Sequence, residues 1–165
     1  GEASMTATEN IHATGLVLDG LGVILRGPSG AGKSLLALEL IDAWEARGLT
    51  ARLVSDDRID VVVAGKGLMM RAPKAIEGLI ELRGRGIVKR PFVAEGPLNL
   101  VIDLVDTLER MLEEDALTID LLGVTVARAP VPKAGIVDAR HQMLLIKEAV
   151  RALAKPRRAT RQKTT

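Results

Sequence analysis

The chain has 165 residues, 47% of them hydrophobic, with Trp44 and Phe92 as its only aromatics, no cysteine and a formal net charge of +2. That length fits one domain with an aliphatic core. The missing cysteines exclude disulfides, thiolate catalysis and cysteine-based zinc sites, and so few aromatics argue against stacking on nucleic-acid bases.

Gly1 to Ser4, ahead of Met5, read as an expression remnant, and Met5 to Ala154 as the domain. No signal-type apolar segment opens the chain and no apolar run reaches transmembrane length, so a cytoplasmic protein without membrane partners is expected. His12–Leu18 alternates as a strand, Asp19-Gly20 turns, and Leu21–Arg26 forms a second strand, giving a hairpin. The next eight residues, Gly27-Pro28-Ser29-Gly30-Ala31-Gly32-Lys33-Ser34, match G-x-x-x-x-G-K-[ST] at every fixed position. A chance match in a chain this long is on the order of one in a hundred. A helix follows over Leu35–Trp44, with Leu36, Leu40 and Ala43 on one face.

Ala51–Ser55 reads as a short buried strand beside the loop strand, ending in Asp56-Asp57. Ile59–Ala64 and Leu68-Met69-Met70 form another hairpin around Gly65-Lys66-Gly67. Pro73 opens a helical stretch through Ile76, Leu79 and Ile80. Ile87–Val93 and Leu98–Val105 read as extended, and the acidic Asp106–Asp115 as helix-prone. Leu121–Ala127 is a strand broken by Pro130 and Pro132. Val137–Ala154 is an amphipathic helix with Leu144, Leu145, Ala149, Ala152 and Leu153 inward. There is no internal repeat, and the pattern is mixed α/β with hairpins.

The last eleven residues, Lys155–Thr165, carry five basic side chains and no acid, and read as a basic disordered tail. The rest of the chain has 18 basic and 21 acidic residues, so it offers no basic platform for nucleic acid.

The loop chemistry requires these residue types. Gly27, Gly30 and Gly32 let the backbone curl, so that the N–H groups of the loop Gly27–Ser34, Pro28 having none, converge on phosphate oxygens. Lys33 brings a charge to the outer phosphates, and Ser34 a hydroxyl to Mg²⁺. Asp56 and Asp57 end a strand at the edge where α/β sheets bind ligands. Neighbouring residues point apart, so one acid suits a metal and the other a proton from an attacking hydroxyl. Glu81 and Arg83 share a face of an extended segment, placing one anion and one cation beside a nucleotide or forming an exposed ion pair. By itself, His12 reads as a hydrogen-bonded packing residue.

In combination, these blocks resemble the catalytic domain of HPr kinase/phosphorylase. His12, the loop, Leu53-Val54-Ser55-Asp56-Asp57 and Glu81-Leu82-Arg83-Gly84-Arg85-Gly86-Ile87 occur in the family's order. The last block is similar to the family signature E-I-R-G-x-G-I, with Arg85 where an apolar residue is usual. The resemblance implies an HPr kinase / PEP carboxykinase-like nucleotide-binding fold and ATP and Mg²⁺ as cofactors. It implies a seryl residue of HPr, or of a nitrogen-system relative, as substrate. It also implies phosphorolysis of phosphoserine to pyrophosphate, and a homo-oligomer, hexameric in longer relatives. By the same resemblance Lys33 and the loop hold phosphates, Ser34 and Glu81 bind Mg²⁺, and Asp57 is the proton acceptor with Asp56 in support. His12 is catalytic, and Arg110, in Leu108-Glu109-Arg110-Met111, handles phosphate. The chain resembles a short form without the N-terminal domain. Where the family has a basic segment linked to dephosphorylation, Pro130-Val131-Pro132-Lys133 has one basic residue. A P-loop small-molecule kinase and a nucleotide-sensing module are the alternatives. The former usually carries an arginine-rich lid, which this chain lacks outside its tail, and no Asn-Lys-x-Asp motif points to a GTPase.

Overall fold

The computed structural model describes residues 7–73 and 78–163, with side chains through Leu153. Helices α1 (Lys33–Ala46) and α2 (Ala139–Lys163) cover one face of a six-stranded sheet, and a four-stranded sheet packs on its other face. This is the expected α/β architecture with a mixed sheet and hairpins.

Strand β1 (Thr8–Ile11) belongs to the four-stranded sheet and β2 (Ala13–Leu18) to the six-stranded one. His12 is the bend between them rather than the first residue of the strand. The expected hairpin closes as β2 turns into β3 (Leu21–Arg26), with Leu18 opposite Leu21. Gly22 is required by close approach: a Cβ there would lie 1.5 Å from the Pro97 carbonyl oxygen. After α1 come β4 (Ala51–Ser55), β5 (Ile59–Ala64) and β6 (Gly67–Arg71), with β5 and β6 paired antiparallel.

The helix expected from Pro73 to Ile80 is not found at its described end. Leu79–Leu82 is strand β7, paired with β8 (Gly86–Lys89), and Ile80 is buried against the helix-side core. Ile76 lies outside the described residues. The extended segment Leu98–Val105 divides at Asn99 into β9 (Glu95–Leu98) and β10 (Leu100–Val105), where the chain changes sheets. Asn99 bridges the crossing, accepting from the Gly22 amide at 2.8 Å and donating its own amide to Gly22 O at 2.9 Å.

Asp106–Asp115 does not form the expected helix; a single 3-10 turn covers Glu114–Leu117. Leu108, Met111 and Leu112 are all exposed, so a helix there would gain no burial against the domain to offset nucleation. Strand β11 (Thr118–Leu121) pairs with β12 (Val124–Pro132), which runs through both prolines that were expected to break it. The Lys133 amide donates to Val105 O on the β10 side. Alternation therefore turns positions 130 and 132 to the other side, beyond the end of β11, where no ladder bond is lost.

Helix α2 is capped by Asp138, whose Oδ1 accepts the His141 amide at 2.9 Å. Its buried seam runs through Gln142, Ile146, Ala149, Val150 and Leu153. Leu144, expected inward, is 66% exposed, and Ala152 is exposed too. The backbone stays helical through Lys163, into the stretch expected as a tail.

Direction decides where chemistry collects. The sheet order is β11-β12-β10-β3-β2-β4. Strands β3 and β4 both oppose β2, while β10 and β12 run parallel to β3. Four strands thus end at the edge where β2 begins, and the loops after them share that edge. The acid-bearing strand β4 is not beside β3 as expected; β2 intervenes, about 9–10 Å of sheet.

Candidate active site

Gly32 precedes α1 with φ 92°, a left-handed conformation that favours glycine, and the helix N-terminus opens on the loop. Lys33 is only 7% exposed. Its Nζ donates to Gly27 O at 2.8 Å and Pro28 O at 3.2 Å, engaging two of three donors on an ammonium that burial would otherwise penalise.

Ser34 Oγ lies 2.9 and 3.0 Å from the two carboxylate oxygens of Asp56. An ionised carboxylate only accepts, so the hydroxyl hydrogen points to Asp56 and the oxygen lone pairs remain for a cation. Thr14 Oγ1 donates to Asp56 Oδ1 at 2.9 Å. Asp57 is arranged differently. Its φ of 76° takes it out of strand geometry, an unusual conformation for a residue with a side chain. Its Oδ1 accepts from His12 Nε2, and it is 61% exposed.

These residues frame a cleft of about 350 Å³, lined by Ser29, Gly30, Gly32, Lys33, Ser34, Leu35, Asp56, Asp57, Glu81 and Arg83. The β7–β8 hairpin supplies Glu81 and Arg83 to the wall. A larger cavity of about 740 Å³ lies at the opposite end of the sheet, by the β2–β3 turn, and contains none of the expected site residues. Arg110 does not line the cleft; it is exposed in the segment after β10, at the same sheet edge. Lys133 is also at this edge, paired with Asp106 at 2.8 Å.

The donors facing the cleft are oxygens: the Ser34 hydroxyl and the Asp56, Asp57 and Glu81 carboxylates. Among the described residues, no three acidic or histidine side chains gather closely enough to hold an ion unaided. The oxygen donors themselves fit Mg²⁺, which is held by one or two carboxylates and completes its shell with phosphates and water.

Two features escaped the sequence reading. Thr14 is the only hydroxyl in the strand ATGLVL, two residues after His12; that position was the available signal. On the opposite sheet face, Asp103 is held by Arg26 (2.7 and 3.0 Å) and Arg128 (2.5 Å). Its partners lie 77 and 25 residues away, so no local pattern announced them.

A family model described as the HPr Serine kinase C-terminal domain matches residues 3–164. The chain is 32% identical over 152 residues to the HPr kinase/phosphorylase of Burkholderia cenocepacia, covering 86% of this chain and 44% of that protein. It is 41% identical over 88 residues to the HPr kinase/phosphorylase of Exiguobacterium sibiricum, covering 53% of this chain and 26% of that one. The solved structure of the Hpr(Ser) kinase/phosphatase from Coxiella burnetii aligns with a TM-score of 0.73 at 31% identity, over 94% of this chain and 96% of that one. The chain thus spans less than half the length of these two curated relatives. No helix among the described residues is long and apolar enough to cross a membrane.

Proposed function

The chain belongs to the HPr serine kinase family, in the part described as its C-terminal domain, and from that premise we propose that it transfers the terminal phosphoryl group of ATP to a seryl hydroxyl of an HPr-type phosphocarrier in the cytoplasm. The observation that carries this is the divided acid pair: Asp56 is tied to the phosphate loop through Ser34, while Asp57 faces His12 and solvent.

ATP and Mg²⁺, when bound, supply the phosphoryl group and neutralise charge on it as it moves. Lys33 and the loop amides hold phosphate oxygens. Ser34 offers its lone pairs to the metal, Asp56 fixes the direction of that hydroxyl, and Glu81 adds a carboxylate from the hairpin. Arg83 adds a cation on the same wall. Asp57 accepts the seryl proton as the serine oxygen forms its bond to phosphorus. His12, bonded to one Asp57 oxygen, leaves the second for the substrate. Arg110, exposed after β10 at the same sheet edge but outside the cleft, is the further cation we assign to the transferred phosphate.

In the reverse direction, a phosphate oxygen attacks phosphoserine, pyrophosphate forms, and protonated Asp57 returns its proton to the departing serine oxygen. Microscopic reversibility gives one carboxyl both tasks. The acceptor being a protein, we assign the exposed edge around Asp57 to docking, and the working state to a homo-oligomer.

The test is phosphoserine formation by purified protein with ATP, Mg²⁺ and a panel of HPr-type phosphocarriers. Transfer to a seryl residue is the expected result. Transfer to a small metabolite and to no phosphocarrier overturns it.

A further inference from the structure

The backbone ladder between β2 and β4 stops short of the acid pair. Gly15 pairs with Ser55, and a register shift follows before Leu16 pairs with Leu53. Among the described residues no ladder pair beyond Ser55 fixes Asp56 or Asp57, and Asp57 sits in a conformation that needs something to hold it.

Thr14 occupies that gap. It is 0% exposed, the most deeply buried of the polar side chains in the core. Its Oγ1 donates to Asp56 Oδ1 at 2.9 Å and accepts the Asp57 amide at 3.4 Å. One hydroxyl therefore joins the two acids, and Asp56 passes the network on to Ser34 at the start of α1. A buried hydroxyl costs free energy unless it is paired, and valine would fill the same volume without that cost. Packing alone therefore gives no reason for threonine here. His12, in the bend just before β2, meets the Asp57 carboxylate, so the start of β2 and the bend that leads into it contact both acids.

We propose that Thr14 is a positioning residue for phosphoryl transfer: its hydroxyl gives the two acids their separate tasks, aiming Asp56 at Ser34 and anchoring the Asp57 peptide in its left-handed turn. This rests on the assignment of Asp56 to the metal side and Asp57 to the proton. Removing the hydroxyl loosens both acids without touching the loop's hold on phosphate.

The experiment compares Thr14→Val, Thr14→Ala and Thr14→Ser in the full chain. ATP affinity is measured with EDTA and with Mg²⁺, Asp57 amide exchange in metal-free protein, and kcat and KM for seryl transfer. Losing a hydrogen bond to a charged group predicts a fall in kcat of about 10- to 100-fold in the valine and alanine variants. In the same two variants the Mg²⁺-dependent gain in ATP affinity should shrink and the Asp57 amide exchange faster, while ATP affinity in EDTA and KM for the phosphocarrier stay near wild type. Serine keeps the hydroxyl and should restore all three altered readouts. Serine and alanine leave nearly the same space, so their difference isolates the hydroxyl even if valine does not fold. Wild-type kcat, exchange and Mg²⁺ response in valine or alanine would overturn the proposal, as would serine failing alongside alanine. ATP binding and amide exchange need no protein acceptor. If wild type phosphorylates no phosphocarrier at all, the proposed substrate falls while these two readouts still decide the role of Thr14.

Discussion

Two carboxylate clusters sit near one edge of the same sheet, on opposite faces, and they differ in almost every physical respect. Asp103 is 13% exposed and closed between Arg26 and Arg128. Burial pushes its pKa up, but hydrogen bonds from both arginines, with their charges, outweigh this and hold the carboxyl below its ordinary range. The hydrogen bond to Asp103 likewise raises Arg26, against the effect of burial. The acid pair on the helix side is met by two hydroxyls and an imidazole, and opens on a cleft. A perturbed titration alone would have pointed to the wrong face. Asp103 has spent its valences on arginine, whereas Asp57 keeps one oxygen free of protein partners among the described residues.

The largest expected effect tests that contrast directly. Asp57→Asn keeps the shape and tolerates a left-handed backbone as well as aspartate does, so the fold is not strained. Without a proton acceptor, kcat for seryl transfer should fall by about 10²- to 10⁴-fold, with ATP affinity and melting temperature near wild type. Steady-state kinetics alongside calorimetry reads both. Activity within a few-fold of wild type would move the base to Asp56 and erase the division between the two acids.

The sequence exposed the acid pair because its signals are local. The phosphate loop, the β2–β3 hairpin, β4 and the β5–β6 hairpin each follow from spacing within a few residues, and the register of Leu18 with Leu21 follows from a two-residue turn. What was missed is non-local. Pro130 and Pro132 look like breakers until one knows that β11 ends before them. Leu144 belongs to the apolar pattern of its helix, yet the seam is set by which side of α2 meets β12 and the core beneath it. The Arg26–Asp103–Arg128 cluster requires β10 to lie between β3 and β12, an order that spacing does not give. Nothing local marked Thr14, because its partners are 42 and 43 residues away.

The next effect is on stability and has the opposite profile. Asp103→Asn leaves two arginines facing a neutral amide. Removing one partner of a fully buried pair costs about 3–5 kcal/mol, and these side chains are partly exposed, so about 1–3 kcal/mol is expected. In a domain of this size that lowers the melting temperature by roughly 2–12 °C. Seryl transfer measured well below the melting temperature should stay within a few-fold of wild type. Loss of activity without loss of stability would show that Arg26, adjoining Gly27, transmits the cluster to the loop, and the two faces would no longer be separable.

The smallest effect is the pH dependence of that stability, and its sign follows from the direction of the shift. The Asp103 pKa is lower in the folded protein than in the unfolded chain, so folding favours the ionised form. The contribution is therefore fully present above the unfolded value of about 4, and it is lost as pH falls from there through the folded value. Denaturant unfolding of wild type and Asp103→Asn, repeated at steps from pH 7 downward, should give a constant gap above about pH 5 that closes in more acidic solution. Other carboxylates contribute to acid unfolding in both proteins, so only the gap reports on Asp103. A gap that widens as pH falls would mean that the carboxyl is easier to protonate in the folded state, with burial outweighing the two arginines. Asp103 would then resemble a poised acid more than a closed ion cluster, and the contrast with Asp57 would collapse.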